Sequence, residues 1–462
     1  MKLFKKLLCS FLIALYILLI FFSDYSLAEA PDISGFSTSN MPTTYSNNCL
    51  LMEQSTGAIL YGKNIYDKVY PASTTKIMTD ILALEKCNLT DIATASHNAV
   101  YSVPVGYSHA NIQEGEELTI EQLLNVLLIP SANDAAFILA EHIAGSVDAF
   151  SDMMNGKAKE IGCLNTNFVN PNGIHNENHY STAYDMALIG KYAMKFDVFR
   201  QIVAKTSCSL PITNKYDKAD RLFNTTNELI KPNYSSSASN YYYQYATGAK
   251  TGYTDAAANC IVATATKNDV SLIVVIMHGE RTDEGLSQRA LDCKTLFEYG
   301  FNNFSFTKLA SKGDICKTLE IEGATSSTKD LNLLYAEDIV AYLPLDFNLY
   351  DVSSNVTIST EISAPIASET ILGNVTYSVE NLTYTCNLIA QNNVYKSETA
   401  KTVMELLLLL LLLIAVAYIL KLRNSHSKQK RKKKKSTKGK KSNYKKTKRY
   451  DNSIDNFYPR YK

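Results

Sequence analysis

Pro71-Ala72-Ser73-Thr74-Thr75-Lys76 opens an apolar run, Ile77-Met78-Thr79-Asp80-Ile81-Leu82-Ala83-Leu84, and the chain is organised around this junction. The run predicts a helix, on which residues three apart share a face. Ser73 and Lys76 then stand side by side at its first turn. A serine hydroxyl becomes an effective nucleophile when a neighbouring base takes its proton. A lysine amine can be that base once burial lowers its pKa. The spacing alone is weak, because Ser-x-x-Lys recurs at Ser305–Lys308, Ser326–Lys329, Ser425–Lys428, Ser427–Lys430 and Ser442–Lys445. Serine at a helix start is also a common N-cap.

Working outward, Cys49–Glu53 and Ala58–Tyr61 flank Gln54-Ser55-Thr56-Gly57 and read as a hairpin just before the Ser73 helix. After it, apolar positions 120, 123, 124, 127 and 128 predict a helix that Pro130 ends. Ser131-Ala132-Asn133-Asp134 then forms a loop before a helix over Ala135–Ala144. Helices are expected over Phe150–Ile161 and Ala183–Phe196, with a turn at Asn170-Pro171-Asn172-Gly173 between them. Three runs, Ala246–Tyr253, Asn259–Thr266 and Val270–His278, read as adjacent antiparallel strands, and a helix over Gly285–Tyr299 closes the domain. The tyrosine cluster 241–245 fits either a groove wall or an exposed loop. From about Thr307 to Tyr395 short strands recur (Thr318–Ile321, Ile339–Leu343, Val356–Glu361, Asn374–Val379, Thr383–Leu388), as in a small β sandwich.

The two ends point to an exported body on a membrane. Lys2, Lys5 and Lys6 precede the apolar run Leu7–Phe22, and Ser26-Leu27-Ala28 supplies small residues for cleavage, so 1–28 reads as a signal peptide. A polar linker follows at 29–45. Residues 403–420 are almost pure leucine and read as a transmembrane helix. Residues 421–462 carry eighteen Lys/Arg against Asp451 and Asp455; this +16 leaves −15 on residues 1–420 within a total of +1. Positive charge beside a span marks its cytoplasmic side. Such a tail either serves only as a topology signal or meets anionic lipid headgroups, which are favoured over nucleic acid. Eight cysteines follow the signal without a framework or a metal-ligand spacing, and no metal site is expected.

The order of three motifs singles out Ser73. Ser131-x-Asn133 lies in a helix-to-helix loop, and Lys250-Thr251-Gly252, which occurs once, lies on an expected strand. Together they mark penicillin-binding proteins and related β-lactamases. The chain resembles the D-alanyl-D-alanine carboxypeptidases among the low-molecular-mass penicillin-binding proteins (serine peptidase family S11). Pro71–Thr79, Ile129–Ala136, Lys250–Thr254, Asn170–His175, His179–Ala183 and Ala364–Ala367 carry the resemblance, over about 45 to 395. Ala132 stands where many members have glycine, and Ala257-Ala258-Asn259-Cys260 replaces a more usual Ala-Gly-Tyr-Cys.

The resemblance implies an α+β fold: a transpeptidase-like (β-lactamase-like) catalytic domain over 46–305, an antiparallel sheet flanked by helices, with an all-β domain over 307–395 behind it. It implies that Ser73 attacks the carbonyl between two D-alanines of a peptidoglycan stem and that β-lactams acylate it. Lys76 is then the general base, with Lys250 helping to depress its pKa, and Ser131 relays a proton to the departing D-alanine. Asn133 holds the substrate amide and orients Lys76. Lys250 and Thr251 take the terminal carboxylate, and Gly252 admits the peptide. The backbone N–H groups of Ser73 and Tyr253 form the oxyanion hole, and no cofactor is called for. His109, His175, His179 and His278 read as structural. A β-lactamase, a D,D-endopeptidase and a non-catalytic wall-binding protein are the competing readings.

Overall fold

The computed structural model describes residue 36 and residues 40–232, 241–359, 361–380 and 382–436. The expected signal peptide, most of the linker and the tail beyond Ser436 lie outside the described residues. An antiparallel sheet forms from β1 (Asn48–Glu53), β2 (Ile59–Lys63), β3 (Ala246–Thr254), β4 (Ala258–Lys267) and β5 (Val270–Gly279), in the order β2-β1-β5-β4-β3. Side chains alternate across a strand, and here both faces are apolar. Leu50, Met52, Val262, Ile273 and Val275 enter one core; Cys49, Leu51, Ile261, Leu272 and Val274 enter the other. Sheets with both faces covered are buried throughout, which is why these runs read as continuous rather than alternating apolar sequence.

The first core is helical. It holds α1 (Lys76–Lys86), α2 (Ile120–Leu128), α3 (Asn133–Ala144), α4 (Val147–Ile161) and α5 (Ala183–Ala193). Their ends carry local signals. Thr119 and Gln122 form a capping box on α2, Ser146 and Thr182 cap α4 and α5, and Gly145 and Gly162 close α3 and α4 in left-handed conformations. The second core lies under α6 (Gln288–Asn303), with Leu296 and Phe297 packed against it. Within the tyrosine cluster, Tyr243 is buried and stacks on Phe297 at 5.6 Å, while Tyr242 is exposed.

α1 is buried from Lys76 through Ala83, so it runs through the core rather than along it. Asp80 sits on this helix fully buried, and both its carboxyl oxygens lack a hydrogen-bond partner among the described residues. Burial pushes this carboxyl well above the usual range. The unfolded chain ionises freely near pH ~4 while the fold resists, so stability is lost as pH rises above that value. Asp80→Asn is therefore expected to stabilise the protein at pH 7 by ~1–3 kcal/mol, with the gain shrinking toward pH ~4. Thermal midpoints at the two pH values check this; an equal shift at both would rule out the titration.

By internal contacts the chain divides into two units. The first comprises Met1–Ile315, Leu334–Ile358 and Gly373–Leu388. Besides the central sheet it contains the antiparallel ladder of Phe304–Ala310 with Ile339–Pro344, and the ladder of Ser353–Ile358 with Gly373–Ser378. The second comprises Cys316–Leu333, Ser359–Leu372 and Ile389–Lys462. Within it, Glu322 bridges Ser363, Ile366 bridges Val394, and the helix Thr399–Ser436 follows. Its Lys401–His426 stretch contains an 18-residue window with a mean hydropathy of 2.9 and is long and apolar enough to cross a membrane. The eight cysteines are free thiols, four of them buried.

Candidate active site

Ser73 lies on a 3-10 turn, Ala72–Thr75, that leads straight into α1. The i, i+3 relation survives this departure from a simple helix start. The Lys76 Nζ is 2.8 Å from Ser73 Oγ, 2.8 Å from Asn133 Oδ1 and 2.9 Å from the Asn172 carbonyl oxygen. The latter two groups can only accept. A neutral lysine amine has two N–H donors and one lone pair, so donation to both amide oxygens aims the lone pair at the Ser73 hydroxyl. Lys76 is fully buried. That burial, aided by the positive charge of Lys250 and opposed by Asp134, holds its pKa well below the usual lysine value.

The remaining parts orient this pair. Asn133 is the first residue of α3 rather than part of the preceding loop. Its Nδ2 donates to the Ser108 carbonyl at 2.8 Å, which turns Oδ1 toward Lys76. Asp134 accepts from the backbone of Ala110 and Ile112, pinning the segment that forms the near wall of the cleft. Behind the turn, Val169 N–H donates to His179 Nδ1, so Nε2 carries the proton and donates to Thr75 Oγ1 at 2.8 Å. Burial, with His175 and Lys76 nearby, lowers the His179 pKa to about 3, so it stays neutral, a structural part as the sequence suggested.

Two backbone conformations mark the site. Ala72 (φ 45°) and Ser131 (φ 68°) occupy the left-handed region, which non-glycine residues seldom adopt. The alanine substituted at 132 takes ordinary extended angles, so no glycine is needed there. Ala258 takes φ 51°, and that is the strained one of the two departures.

Strand β3 forms the opposite wall. A Cβ on Gly252 would lie 2.9 Å from Ser73 N and 3.1 Å from the Pro71 carbonyl oxygen. Only glycine lets the strand approach the nucleophile turn this closely. Ser73, Ser131, Asn133, Thr226, Thr251, Gly252, Tyr253 and Arg289 are among the residues lining a cleft of about 410 Å³. Lys250 does not line it: it is buried, its ammonium donates to the Thr251 carbonyl at 2.8 Å, and burial beside Arg289 lowers its pKa to about 7. Arg289 is instead the one Lys or Arg among the described residues lining the cleft. Sequence reading missed it, since a single arginine at a helix start has no motif. It missed Thr226 as well, whose hydroxyl is 2.5 Å from that of Thr251.

The recurrences of Ser-x-x-Lys separate here. Ser305 and Lys308 lie on a strand, where residues three apart face opposite sides. Lys329 pairs with Glu320 at 2.6 Å. Ser425 and Lys428 lie on the long C-terminal helix, and Ser442–Lys445 lies outside the described residues.

A mixed fold with a serine and a buried lysine in hydrogen-bond contact at the sheet edge is the arrangement shared by penicillin-binding proteins and serine β-lactamases. Residues 36–281 match the model of the D-alanyl-D-alanine carboxypeptidase family. D-alanyl-D-alanine carboxypeptidase DacF of Bacillus subtilis is 31% identical over 374 residues, covering 80% of this chain and 89% of that protein. Penicillin binding protein 5 from Haemophilus influenzae superposes with a TM-score of 0.61 at 26% identity, covering 78% of this chain and 100% of that one. PBP3 from Streptococcus pneumoniae, a peptidoglycan synthesis regulatory factor, gives 0.61 at 25% identity, covering 76% and 100%. The chain belongs to the D-alanyl-D-alanine carboxypeptidase family.

Proposed function

We propose that this protein removes the terminal D-alanine from peptidoglycan stem peptides through an acyl-enzyme on Ser73. The contact between Ser73 Oγ and the fully buried, pKa-depressed Lys76 carries the reading. Neutral Lys76 takes the Ser73 proton as Oγ bonds to the carbonyl carbon of the penultimate D-alanine. The oxyanion develops beside the N–H groups of Ser73 and Tyr253. Ser131 passes the proton to the leaving nitrogen, the C–N bond breaks, and D-alanine departs. Water then attacks the ester and the serine recovers its proton.

Recognition needs a cation for the carboxylate that sits next to the leaving nitrogen. Arg289 and the Thr251 hydroxyl line the cleft and suit that group, while Lys250, beneath the strand, acts chiefly by depressing Lys76. A β-lactam presents the same carboxylate beside a reactive amide, which explains inhibition through the same serine. Incubation with a fluorescent penicillin and with a D-Ala-D-Ala pentapeptide tests the assignment. Adduct and free D-alanine are expected from the natural protein and neither from Ser73→Ala; a Ser73→Ala protein that still forms adduct refutes it.

The apolar C-terminal helix fits membrane association. The finer topology is part of the proposal: cleavage near Ala28, the catalytic body outside, and the basic tail inside against anionic lipid. Protease added to intact cells should remove the catalytic body and leave a tail epitope protected. Cleavage of that epitope would invert the topology.

A further inference from the structure

We propose that Glu228 is a positioning residue that holds Arg289 in the orientation that reads the substrate carboxylate. This rests on the carboxypeptidase reading above and adds the group that makes its cation directional. Glu228 follows the short hairpin Ser207–Leu210/Arg221–Asn224, in a stretch of sequence that belongs to none of the motifs. Its carboxylate accepts from Arg289 Nη2 at 2.9 Å and from Arg289 Nε at 3.4 Å. That is the side-on, two-point grip that fixes the plane of a guanidinium.

The grip determines what is left for a ligand. Arg289 Nη1 donates to the carbonyls of Gly252 (3.2 Å) and Cys260 (3.3 Å). With Nε and one Nη2 N–H on Glu228, four of the five donors have partners among the described residues. The remaining Nη2 N–H belongs to a side chain that lines the cleft beside Thr251. Without Glu228, the Nη1 contacts are left to orient the group.

A second observation concerns Ser287. It occupies the N-cap position of α6, yet its side chain makes no cap hydrogen bond. The hydroxyl donates to Glu228 Oε1 at 2.5 Å instead, while its backbone N–H donates to Tyr241 Oη at 2.9 Å. A serine at this position ordinarily satisfies a free helix N–H. Here it braces the carboxylate that braces the arginine. Burial works against the charged form of Glu228, but Arg289 and Ser287 outweigh it and hold the carboxyl below its usual range. An anion at this place also offsets the crowding of Arg289 with buried Lys250.

The test uses two peptides, diacetyl-L-Lys-D-Ala-D-Ala and the same peptide ending in D-alaninamide, with the full chain in detergent. Glu228→Ala is expected to lose about tenfold in kcat/KM on the acid, through KM, the usual worth of a charge-assisted contact. On the amide, which offers no carboxylate to Arg289, it should stay within about twofold of the natural protein. Glu228→Asp should recover part of the loss, and Glu228→Ala should cost nothing further in an Arg289→Ala background. If Glu228→Ala fails to fold, as its thermal midpoint would show, Glu228→Gln keeps the shape and the Ser287 contact and serves in its place. Equal losses on both peptides, or losses that add to those of Arg289→Ala, overturn the positioning role alone. A natural protein that releases neither D-alanine from the acid nor D-alaninamide from the amide overturns the carboxypeptidase reading and this inference with it.

Discussion

Lys76→Met is expected to slow acylation of Ser73 by a penicillin by roughly 10²–10⁴-fold, the usual contribution of a positioned base. The protein should still fold. Methionine fills a similar volume and removes a buried cation, and replacing buried charge with apolar bulk is often neutral or better. Against that, Asn133 Oδ1 and the Asn172 carbonyl oxygen lose their Lys76 donor, at about 1–3 kcal/mol each. The pH dependence supplies a sharper readout. Lys76 acts only when neutral, so acylation should rise with pH through its depressed pKa and flatten above it. Lys250 helps depress that pKa, so Lys250→Met should move the rising limb to higher pH. Stopped-flow acylation across pH checks both. A Lys76→Met protein that keeps the natural rate and profile would remove lysine from the base role.

Gly173→Ala should be nearly as damaging, though Gly173 touches no substrate. It lies in the Asn170-Pro171-Asn172-Gly173 turn at φ +80°, and a Cβ there would fall 1.8 Å from the Ala72 carbonyl oxygen. No backbone approaches that closely, so the two turns must separate. The Asn172 carbonyl, which holds Lys76, moves with the displaced turn, and the Thr79 hydroxyl loses its 2.5 Å contact with the Pro171 carbonyl. A displacement of ~1 Å at a catalytic group costs about 10²-fold in rate. Left-handed strain adds a stability loss of ~1–3 kcal/mol. Penicillin labelling with a thermal midpoint separates the two effects. Natural labelling rates in Gly173→Ala would mean that this turn does not position the base.

Local chemistry made much of this molecule legible in the sequence. Ser73 and Lys76 stand three positions apart in helical geometry, and the apolar run behind them announces a buried helix. Pro130 and the caps at Thr119 and Thr182 mark helix ends without help from distant residues. Apolar runs of strand length placed β3, β4 and β5 side by side. The long leucine run read as a span for the same reason, since hydropathy is a sum over neighbours.

The order of the three motifs singled out Ser73 and Lys76 in the sequence, but tertiary structure supplies the physical reason the other Ser-x-x-Lys pairs are not sites. Ser305–Lys308 has the same spacing on a strand and therefore opposite faces. What lowers the Lys76 pKa is burial and a charge 174 positions away, neither written beside it. The carbonyl of Asn172 is a backbone atom, which every residue has, so no residue type flags it. Arg289 and Glu228 meet across 61 positions because α6 and the segment after a hairpin converge on β3. Sequence carries periodicity and local chemistry at short range; burial, backbone contacts and distant charge pairs exist only once the chain has closed on itself.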